Sequence, residues 1–530
     1  MSFVSDMVKY LPLAFDLRGF LSSTITLEES KQVLTARINN RGENFLSLVN
    51  KGIFRYPNSP YLKLFHSAGY EFGDVASLVR SDGIEATLQK LLADGVYLSY
   101  EEFKRGKEVV RGSSHFQFEE CAFDNPLLSV RYQTRSSGSR SAGTKTTFDF
   151  KHMLDSSYYR IILLEVNNAL DVPVGIWKPI LPAGSGISIA LLQCKIGKPA
   201  NRWFSPVGEG HVQALPQHQL ALRYLIYGSR LWGAKIPWPE YVGLEEAVKV
   251  TRWIADTKKQ HGGCCLYSSV SPAVKVCQAA MDNGLDIRGT HFIVSGEPLT
   301  PAKRRQIEVT DATVVPRYSY SEVGGIGHGC PGGGTDDVHL FHDSVAVIQR
   351  RRYIEAAGVD VDAFVCTTLL PTAPKIMLNV ENDDYGIMET RKCDCTYGQL
   401  GFNTHIRNIR SFAKLTGVGM TIIGTDMVRI LEEVLPAEYG GSAADYQLLE
   451  EEDRLGQTHL SIIISPSVGT VDEGEVIATL LDELRHIRHP GKLTAGVWSQ
   501  ANTLQVKRVY PFSKMGKVLT LHLMKKEDAT

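Results

Sequence analysis

Segments with helical and strand-like hydrophobic periodicity alternate along this chain of 530 residues, and this alternation constrains the fold more than any other feature. Leu244–Lys258 has the pattern of a helix. Leu460–Ile464 has the pattern of a strand and precedes a helix with apolar residues from Val476 to Ile487 on one face. The alternation predicts an α/β fold. The hydrophobic periodicity of roughly the last 120 residues predicts a small α+β unit with its own core, and this unit begins near Arg410.

Charge and cysteine content exclude several classes of protein. Lys and Arg together number 57 and Asp and Glu 58, so the surplus of cations that a nucleic-acid-binding protein needs is missing. The first apolar stretch is interrupted by Asp6, Lys9 and Asp16, which argues against a signal peptide or a membrane span. The cysteines number 9, an odd count that does not suit a disulfide framework. We therefore expect a cytoplasmic protein.

Ser136–Lys145 is a loop rich in glycine and serine that follows the strand-like segment Leu128–Tyr132. Its hydroxyls, cations and freely turning backbone N–H groups are the donors that a polyphosphate requires. A flexible loop without a ligand is the alternative interpretation, and this segment by itself does not decide between the two.

Four later segments have the composition of binding loops, although each also has a plain structural interpretation. In chain order they are Val294–Pro301, Tyr318–Gly325, Asn382–Gly386 and Pro511–Lys517. The first is also a turn before a helix that starts with proline. The second places Glu322 before a glycine-rich turn, where a carboxylate near phosphates could hold Mg²⁺. The third offers acidic side chains either to a ribose or to its own turn.

The order and separation of these segments resemble those of the adenylate-forming ligases, most closely the phenylacetate–CoA ligase branch. That family has a phosphate loop, a Gly-Glu-Pro segment, a Tyr-Gly-x-Ser-Glu segment, a ribose-binding Gly-Asp, a hinge and a C-terminal Gly-Lys. The corresponding segments here are Ser136–Lys145, Gly296–Pro298, Tyr318–Glu322, Asp383–Asp384, Arg410 onward and Gly516–Lys517. The phosphate loop is one residue longer than the common form, and Asp383 replaces the glycine of the ribose site.

The resemblance implies a large, multi-subdomain N-terminal body for nucleotide binding and a small, mobile C-terminal α+β domain. We expect residues 1–120 to form an N-terminal extension of the large domain, 121–410 the AMP-binding domain, and 411–530 the small domain. Lys517 and Glu322 are the expected catalytic residues, with Glu322 holding Mg²⁺. The expected ATP- and AMP-binding residues are Ser136, Ser137, Gly138, Ser139, Lys145, Gly296, Glu297, Pro298, Tyr318, Ser319, Tyr320, Ser321, Asp384 and Arg410.

Three cysteines and a histidine suggest a structural zinc site. They are Cys330, His339, Cys393 and Cys395, and His342 is the rival to His339. Three thiolates and one imidazole complete a tetrahedral zinc centre and leave no open position for a substrate. Some relatives in the resembled branch carry such a site. Buried thiols and a strand histidine without metal are the alternative.

The function that the resemblance implies is ATP-dependent activation of a carboxylic acid, with an aryl acid as the expected substrate. The acid would form an acyl-adenylate with release of pyrophosphate, and the acyl group would pass to CoA or to another nucleophile. Amine ligation, nitrite-dependent diazo formation and a catalytically silent nucleotide-binding protein are the alternatives. The expected ligands are ATP, Mg²⁺, structural Zn²⁺ and, for thioester formation, CoA. We expect no membrane or nucleic-acid partner, and leave a homodimer open.

Overall fold

The computed structural model describes most of the chain. The described ranges are 16–104, 106–128, 132–135, 145–181, 183–207, 216–354, 359–411, 424–452, 458–486 and 504–524.

Short helices form the N-terminal part of the chain and pack onto the rest of the large body. They are α1 (Leu27–Asn39), α2 (Arg41–Val49), α3 (Pro60–Ser67), α4 (Phe72–Asp82), α5 (Ile84–Ala93) and α6 (Tyr100–Lys104). Thr26 caps the first of them, because its hydroxyl accepts a hydrogen bond from the backbone N–H of Glu29. Phe65 and Leu88 from these helices share one hydrophobic core with Phe364 from a later strand.

Two small hairpins and a long helix follow. They are β1 (Val109–Arg111) with β2 (Ser114–Phe116), β3 (Tyr132–Arg135) with β4 (Lys145–Phe148), and α7 (Phe150–Val166). The helix begins directly after the second hairpin, because the Asp149 carboxylate accepts hydrogen bonds from the N–H groups of Lys151 and His152 at 2.7 and 3.2 Å.

Strands and helices then alternate to build a parallel sheet. The elements are β5 (Val174–Trp177), α8 (Ser185–Lys195), β6 (Arg202–Ser205), α9 (Pro216–Leu231), β7 (Pro239–Tyr241), α10 (Ala247–His261), β8 (Cys264–Ser268), α11 (Val270–Asp282), β9 (Thr290–Ser295), α12 (Pro301–Glu308) and β10 (Thr313–Tyr320). Side chains of one strand alternate between the two faces, so Tyr267 packs on the side of α7 and α8 while Leu266 packs on the side of α10 and α11.

The same sheet continues on the far side of β10 with antiparallel strands. They are β11 (Gly324–His328), β12 (Val338–Leu340), β13 (Val345–Ile354), β14 (Val359–Thr368), β15 (Val380–Thr390) and β16 (Thr404–Ser411), with α13 (Thr396–Gln399) between the last two. The strand order across the sheet is β13-β14-β15-β16-β12-β11-β10-β9-β8-β5-β6-β7. Strand β10 is therefore the border between the parallel and the antiparallel half.

The C-terminal elements form a separate small sheet with its own core. They are α14 (Gly424–Arg429), a π-helical turn (Ile430–Val434), α15 (Leu435–Tyr439), β17 (Tyr446–Glu452), β18 (Thr458–Ile464), α16 (Glu473–His486), β19 (Leu504–Lys507), β20 (Ser513–Lys514), β21 (Lys517–Val518) and β22 (Leu521–Met524). The four-stranded sheet has the order β19-β18-β17-β22. Its core joins Leu431, Ile462 and Leu480, and we refer to residues 424–524 as the small unit.

Glu432 connects the small unit to the large body. Its carboxylate is buried and accepts hydrogen bonds from the hydroxyls of Thr300 at 2.5 Å and of Thr520. The ammonium of Lys303, also buried, lies 2.9 Å away. Thr300 and Lys303 belong to the start of α12 and Thr520 to the small unit, so one carboxylate binds both sides of the junction.

The α/β prediction is confirmed. The helix predicted over Leu244–Lys258 is a 3₁₀ turn followed by α10, and the predicted strand and helix near residues 460 and 480 are β18 and α16. The division into 1–120, 121–410 and 411–530 stays a prediction. Among the described helices, none combines the length and apolar character needed to cross a membrane.

Candidate active site

A cavity of about 360 Å³ lies at the carboxyl ends of the parallel strands. Lys178 follows β5, Ser269 follows β8 and Gly296 follows β9, and all three line the cavity. Helix α7 forms another part of the wall, from Asp149 to Arg160. Carboxyl ends of parallel strands are where α/β proteins bind their ligands, since loops of different strands converge there.

The predicted residues Gly296, Ser319, Tyr320, Ser321 and Lys517 meet at this cavity. Ser319 and Tyr320 end β10, and Ser321 follows them, so the border strand carries this segment to the carboxyl edge of β9.

Lys517 reaches the cavity on a short hairpin of β20 and β21. The hairpin lies against α11, where the Ser271 hydroxyl oxygen is 3.3 Å from the backbone carbonyl oxygen of Val518. Gly296 has a φ of +90°, a conformation that glycine adopts without strain. A Cβ at Gly296 would lie 2.9 Å from the Lys517 ammonium nitrogen, so the absence of a side chain there lets Lys517 approach.

Glu297 contacts the start of α11. Its carboxylate accepts hydrogen bonds from the Ser271 hydroxyl and from the Ser271 N–H, the latter at 3.2 Å. Burial raises the pKa of Glu297, and its second oxygen, Oε1, has no hydrogen-bond partner among the described residues. Pro298 follows in the turn before α12.

The predicted ribose residues lie next to one another on β15 and β16, beside the segment that begins at Tyr318. The Tyr318 hydroxyl donates to the Asp384 carboxylate at 2.7 Å. Asp384 pairs with Ser411 across the two strands, and Arg410 pairs with Tyr385. The Arg410 guanidinium binds Asp336 at 2.9 Å.

The position of Glu322 differs from that of its neighbours. Its side chain is buried and forms an ion pair with Lys104, which ends α6. It is not among the residues that line the cavity, whereas Ser321 and Val323 on either side of it are.

The predicted phosphate loop lies mostly outside the described residues. Ser136, Ser137, Gly138 and Ser139 are among those not described, and Lys145 is described only as the first residue of β4. Arg135 and Lys145 are paired across β3 and β4, so the loop joins two antiparallel strands. The second of these strands leads directly into α7 at the cavity.

Cys330, His339, Cys393 and Cys395 come together in a cluster whose ligand atoms lie within 4.8 Å of one another. Tetrahedral zinc with Zn–S bonds of about 2.3 Å holds its sulfurs about 3.8 Å apart. The Sγ atoms of Cys330 and Cys393 are 3.7 Å apart, so the donor set and its spacing fit this ion.

The histidine of the cluster is His339. Its Nδ1–H donates to the backbone carbonyl of Phe402 at 2.7 Å, which leaves the lone pair of Nε2 directed at the sulfurs of Cys330 and Cys395, each 3.3 Å away. His342 lies elsewhere, near Arg41, whose side chain donates to the His342 carbonyl. Of the two histidines, His339 is therefore the one in the cluster, and its role as a zinc ligand stays a prediction.

No protein-family model and no curated protein matches the sequence. Solved structures do. A 2-hydroxyisobutyryl-CoA ligase in the postadenylation state, in complex with R3-HIB-AMP, aligns over 96% of this chain and 92% of its own, with 14% identity and a TM-score of 0.53. The chain has the fold of the adenylate-forming ligases.

Two further structures match less closely. The same ligase in the thioesterification state, with 2-HIB-AMP and CoA, covers 95% of this chain and 92% of its own at 13% identity and a TM-score of 0.42. ATP-bound MatB from Rhodopseudomonas palustris covers 73% and 66% at 11% identity and a TM-score of 0.41.

The cavity contains cations that the sequence analysis did not predict. Lys178 is 4% exposed, and its ammonium donates to the Ser269 hydroxyl at 2.9 Å and to the carbonyl and hydroxyl of Ser295 at 3.1 and 3.3 Å. Burial and the nearby charge of Lys517 hold the pKa of Lys178 well below its ordinary value.

Arg160 and Arg317 also line the cavity. Arg160 is 1% exposed and its guanidinium lies 4.5 Å from the centre of the Tyr267 ring. Burial and the charge of Arg160 lower the pKa of Arg317 to about 9. One sequence signal was present: Arg160 interrupts an apolar helical run, where a charge has a structural or functional reason.

A chain of hydrogen bonds fixes the orientation of Arg317. Its Nε donates to Nε2 of His328 at 3.2 Å, so His328 Nδ1 carries the proton and donates to the Tyr397 hydroxyl at 2.9 Å. Tyr397 donates in turn to the carbonyl of Tyr159. Burial holds the pKa of His328 well below its ordinary value, which keeps the ring neutral and able to accept from Arg317.

Proposed function

We propose that this protein is an adenylate-forming ligase that activates a carboxylic acid with ATP, releases pyrophosphate, and transfers the acyl group to CoA or another nucleophile. The observation that supports this most is the position of Lys517. It comes from the small unit, yet its ammonium lies against Gly296 at the carboxyl ends of the large body's parallel strands.

In the proposed reaction, a carboxylate oxygen of the acid attacks the α-phosphorus of ATP. A new P–O bond forms, the bond to the β-phosphate breaks, and pyrophosphate leaves with its electrons. Most of the barrier comes from bringing two anions together, so a fixed cation at the reacting atoms lowers it. Lys517 is suited to this role, because its ammonium projects into the cavity.

The nucleotide would extend from Lys517 over the neighbouring loops. In this proposal Glu297, Pro298 and Tyr318 flank the adenine, and Asp384 with Arg410 binds the ribose hydroxyls. The two residues belong to neighbouring cross-strand pairs, since Asp384 lies opposite Ser411 and Arg410 opposite Tyr385. Ser136, Ser137, Gly138, Ser139 and Lys145 would bind the β- and γ-phosphates.

The two metal ions differ in how well the chain fits them. Glu322 would hold Mg²⁺, which neutralises phosphate charge, but its carboxylate is paired with Lys104, so Lys104 would have to release it. We assign no step to that ion. The cysteine–histidine cluster fits Zn²⁺ as it stands and would tie the loop after β11 to the segment after β15.

A pyrophosphate-release assay with full-length protein tests the proposal. Aryl acids, fatty acids, amino acids and nitrite would each be offered with ATP and Mg²⁺, with and without CoA, and products followed by mass spectrometry. We expect pyrophosphate with at least one carboxylic acid, and a thioester when CoA is the acceptor. Binding of ATP without pyrophosphate from any compound would refute adenylation and favour a silent nucleotide-binding protein. The cytoplasmic location and a homodimer stay predictions.

A further inference from the structure

A row of three cations, Lys178, Arg317 and Arg160, continues from Lys517 along the wall of the cavity. The charge of Lys178 interacts with those of Lys517 and Arg317, and the charge of Arg317 interacts with that of Arg160. The row therefore starts at Gly296, beside the proposed nucleotide site, and ends at Arg160 beneath Tyr267.

Within the described part of the chain, none of these three cations forms an ion pair or a hydrogen bond with a carboxylate, although the charge of Glu297 acts on Lys178 at the near end of the row. The three hydrogen bonds of Lys178 go to neutral oxygens of Ser269 and Ser295. Arg317 donates to the ring nitrogen Nε2 of His328. In Arg160, Nε and Nη1 lack any hydrogen-bond partner among described residues, although the side chain is almost fully buried.

The carboxylates that do line the cavity are engaged with other groups. Asp149 caps α7. Asp155 forms an ion pair with Arg37 and also accepts from the Thr372 hydroxyl. Both carboxylates bind groups outside the row, so Arg160 and Arg317 at its far end carry positive charge that the described side chains around them do not balance.

A buried, unpaired charge costs free energy, and proteins tolerate it chiefly where a ligand supplies the opposite charge. One reactive carboxylate beside Lys517 and Lys178 would balance the near end of the row. It would leave Arg160 and Arg317 uncompensated at the far end. A guanidinium offers parallel N–H groups that match the two oxygens of a carboxylate.

We propose that the acid activated here is a dicarboxylic acid, whose second carboxylate binds Arg160 and Arg317 while the first reacts beside Lys517. This inference rests on the proposed function and names its substrate class. Arg160 is held by the Tyr267 ring and Arg317 by His328, so both guanidinium groups are positioned before the substrate binds. The second carboxylate takes no part in the bond changes, and it orients the first.

The test compares acids of equal length that differ only in the second carboxylate. Butyrate is paired with succinate, hexanoate with adipate, 3-methylbenzoate with isophthalate and 4-methylbenzoate with terephthalate, and pyrophosphate release is measured with full-length protein. We expect kcat/KM for at least one diacid to exceed that of its monoacid by about 100-fold, because a site with buried polar groups rejects the analogue that leaves them unpaired.

Variants locate the preference within the row. Arg317→Gln and Arg160→Met should raise KM for the diacid at least 10-fold and reduce its advantage over the monoacid. Arg317→Lys and Arg160→Lys keep the charge but lose the paired N–H groups, and they serve if the neutral variants do not fold. Arg351→Gln is the matched control, since this arginine is on the surface with a side chain 76% exposed, and its diacid preference should equal that of the wild type.

The outcomes separate this inference from the function on which it rests. Pyrophosphate release with monoacids that match or exceed their diacids would overturn the dicarboxylate inference and leave adenylation standing. If no acid releases pyrophosphate, the adenylation proposal fails. The dicarboxylate site is then tested by calorimetry, which measures the binding of the same acid pairs. Tighter diacid binding that Arg317→Gln abolishes supports the dicarboxylate site, and equal binding of both acids refutes it.

Discussion

Lys104 at the end of α6 forms an ion pair with Glu322, which follows β10. The same ammonium lies 5.3 Å from the centre of the Tyr320 ring, and Tyr320 lines the cavity. The N-terminal part of the chain, for which the sequence offered no resemblance, thus supplies a direct partner to the carboxylate expected to hold Mg²⁺.

Removal of Lys104 should destabilise the protein strongly. In Lys104→Met, the Glu322 carboxylate, which is 1% exposed, stays buried without its counter-ion, and the free energy of unfolding should fall by about 3–5 kcal/mol. Denaturant unfolding measures this. The double variant Lys104→Met/Glu322→Gln should recover much of the loss. Lys90→Met, which breaks an exposed pair with Asp94, should change stability little. Equal effects of Lys104→Met and Lys90→Met would contradict the prediction.

Lys517→Ala should abolish most of the adenylation and leave ATP binding intact. Loss of a cation placed at developing negative charge typically reduces kcat by about 100- to 1000-fold. Pyrophosphate release reports the first effect and calorimetry with ATP the second. Lys259→Ala, at a lysine 74% exposed on the surface, is the control that should retain activity. Unchanged turnover in Lys517→Ala would remove this residue from the reaction.

Stability should fall between pH 4 and 6 because of Asp343. Its carboxyl group is fully buried and accepts from the Tyr159 hydroxyl at 2.6 Å, and burial raises its pKa to about 6 from an ordinary 3.8. The folded chain therefore binds this proton more tightly than the unfolded chain does. The resulting stabilisation is complete below pH 4 and is lost as the pH rises through 6, by about 3 kcal/mol.

Asp343→Asn should remove that contribution. Its unfolding free energy should depend less on pH between 4 and 6 than that of the wild type, and at pH 7 the variant should be the more stable. Asp256→Asn, at an aspartate 70% exposed, should keep the wild-type profile. A profile unchanged by Asp343→Asn would show that its carboxyl group titrates normally.

The cysteine–histidine cluster should contain one zinc ion per chain. Metal analysis of the purified protein should find it, and Cys393→Ser and His339→Ala should lose it and lower the melting temperature, because the ligands hold separate segments together. His342→Ala is the matched control, with Cys121→Ser as a control for a cysteine outside the cluster, and both should retain the metal. A metal-free protein whose stability is unaffected by Cys393→Ser would refute the site.

The sequence was sufficient for the fold class and for the segments that meet at the cavity. Strand ends such as Gly296 and Tyr320 could be found because glycine, proline and hydroxyl residues have strong local preferences. The zinc ligands could be proposed from their spacing, but His339 and His342 could not be separated. The choice depends on where the Phe402 carbonyl lies, 63 positions further along the chain.

The residues that were missed depend on tertiary contacts between distant segments. Lys178 follows a buried strand, and sequence alone does not show that its ammonium ends among serines from two other strands. The Lys104–Glu322 pair joins positions 218 apart. The predicted strand-like segment Leu128–Tyr132 falls mostly outside the described residues.

The bonds of Glu432 have a consequence for the rotation of the small domain that the family resemblance implies. To turn, the small unit would have to withdraw this carboxylate from Thr300 and Lys303 at the same moment, because both donors are on the large body. Partial rotation would leave Lys303 and Glu432 buried without each other, which is less favourable than either docked or fully released. The junction should therefore have two stable positions, docked and fully released, because the positions between them leave two charges buried and unpaired.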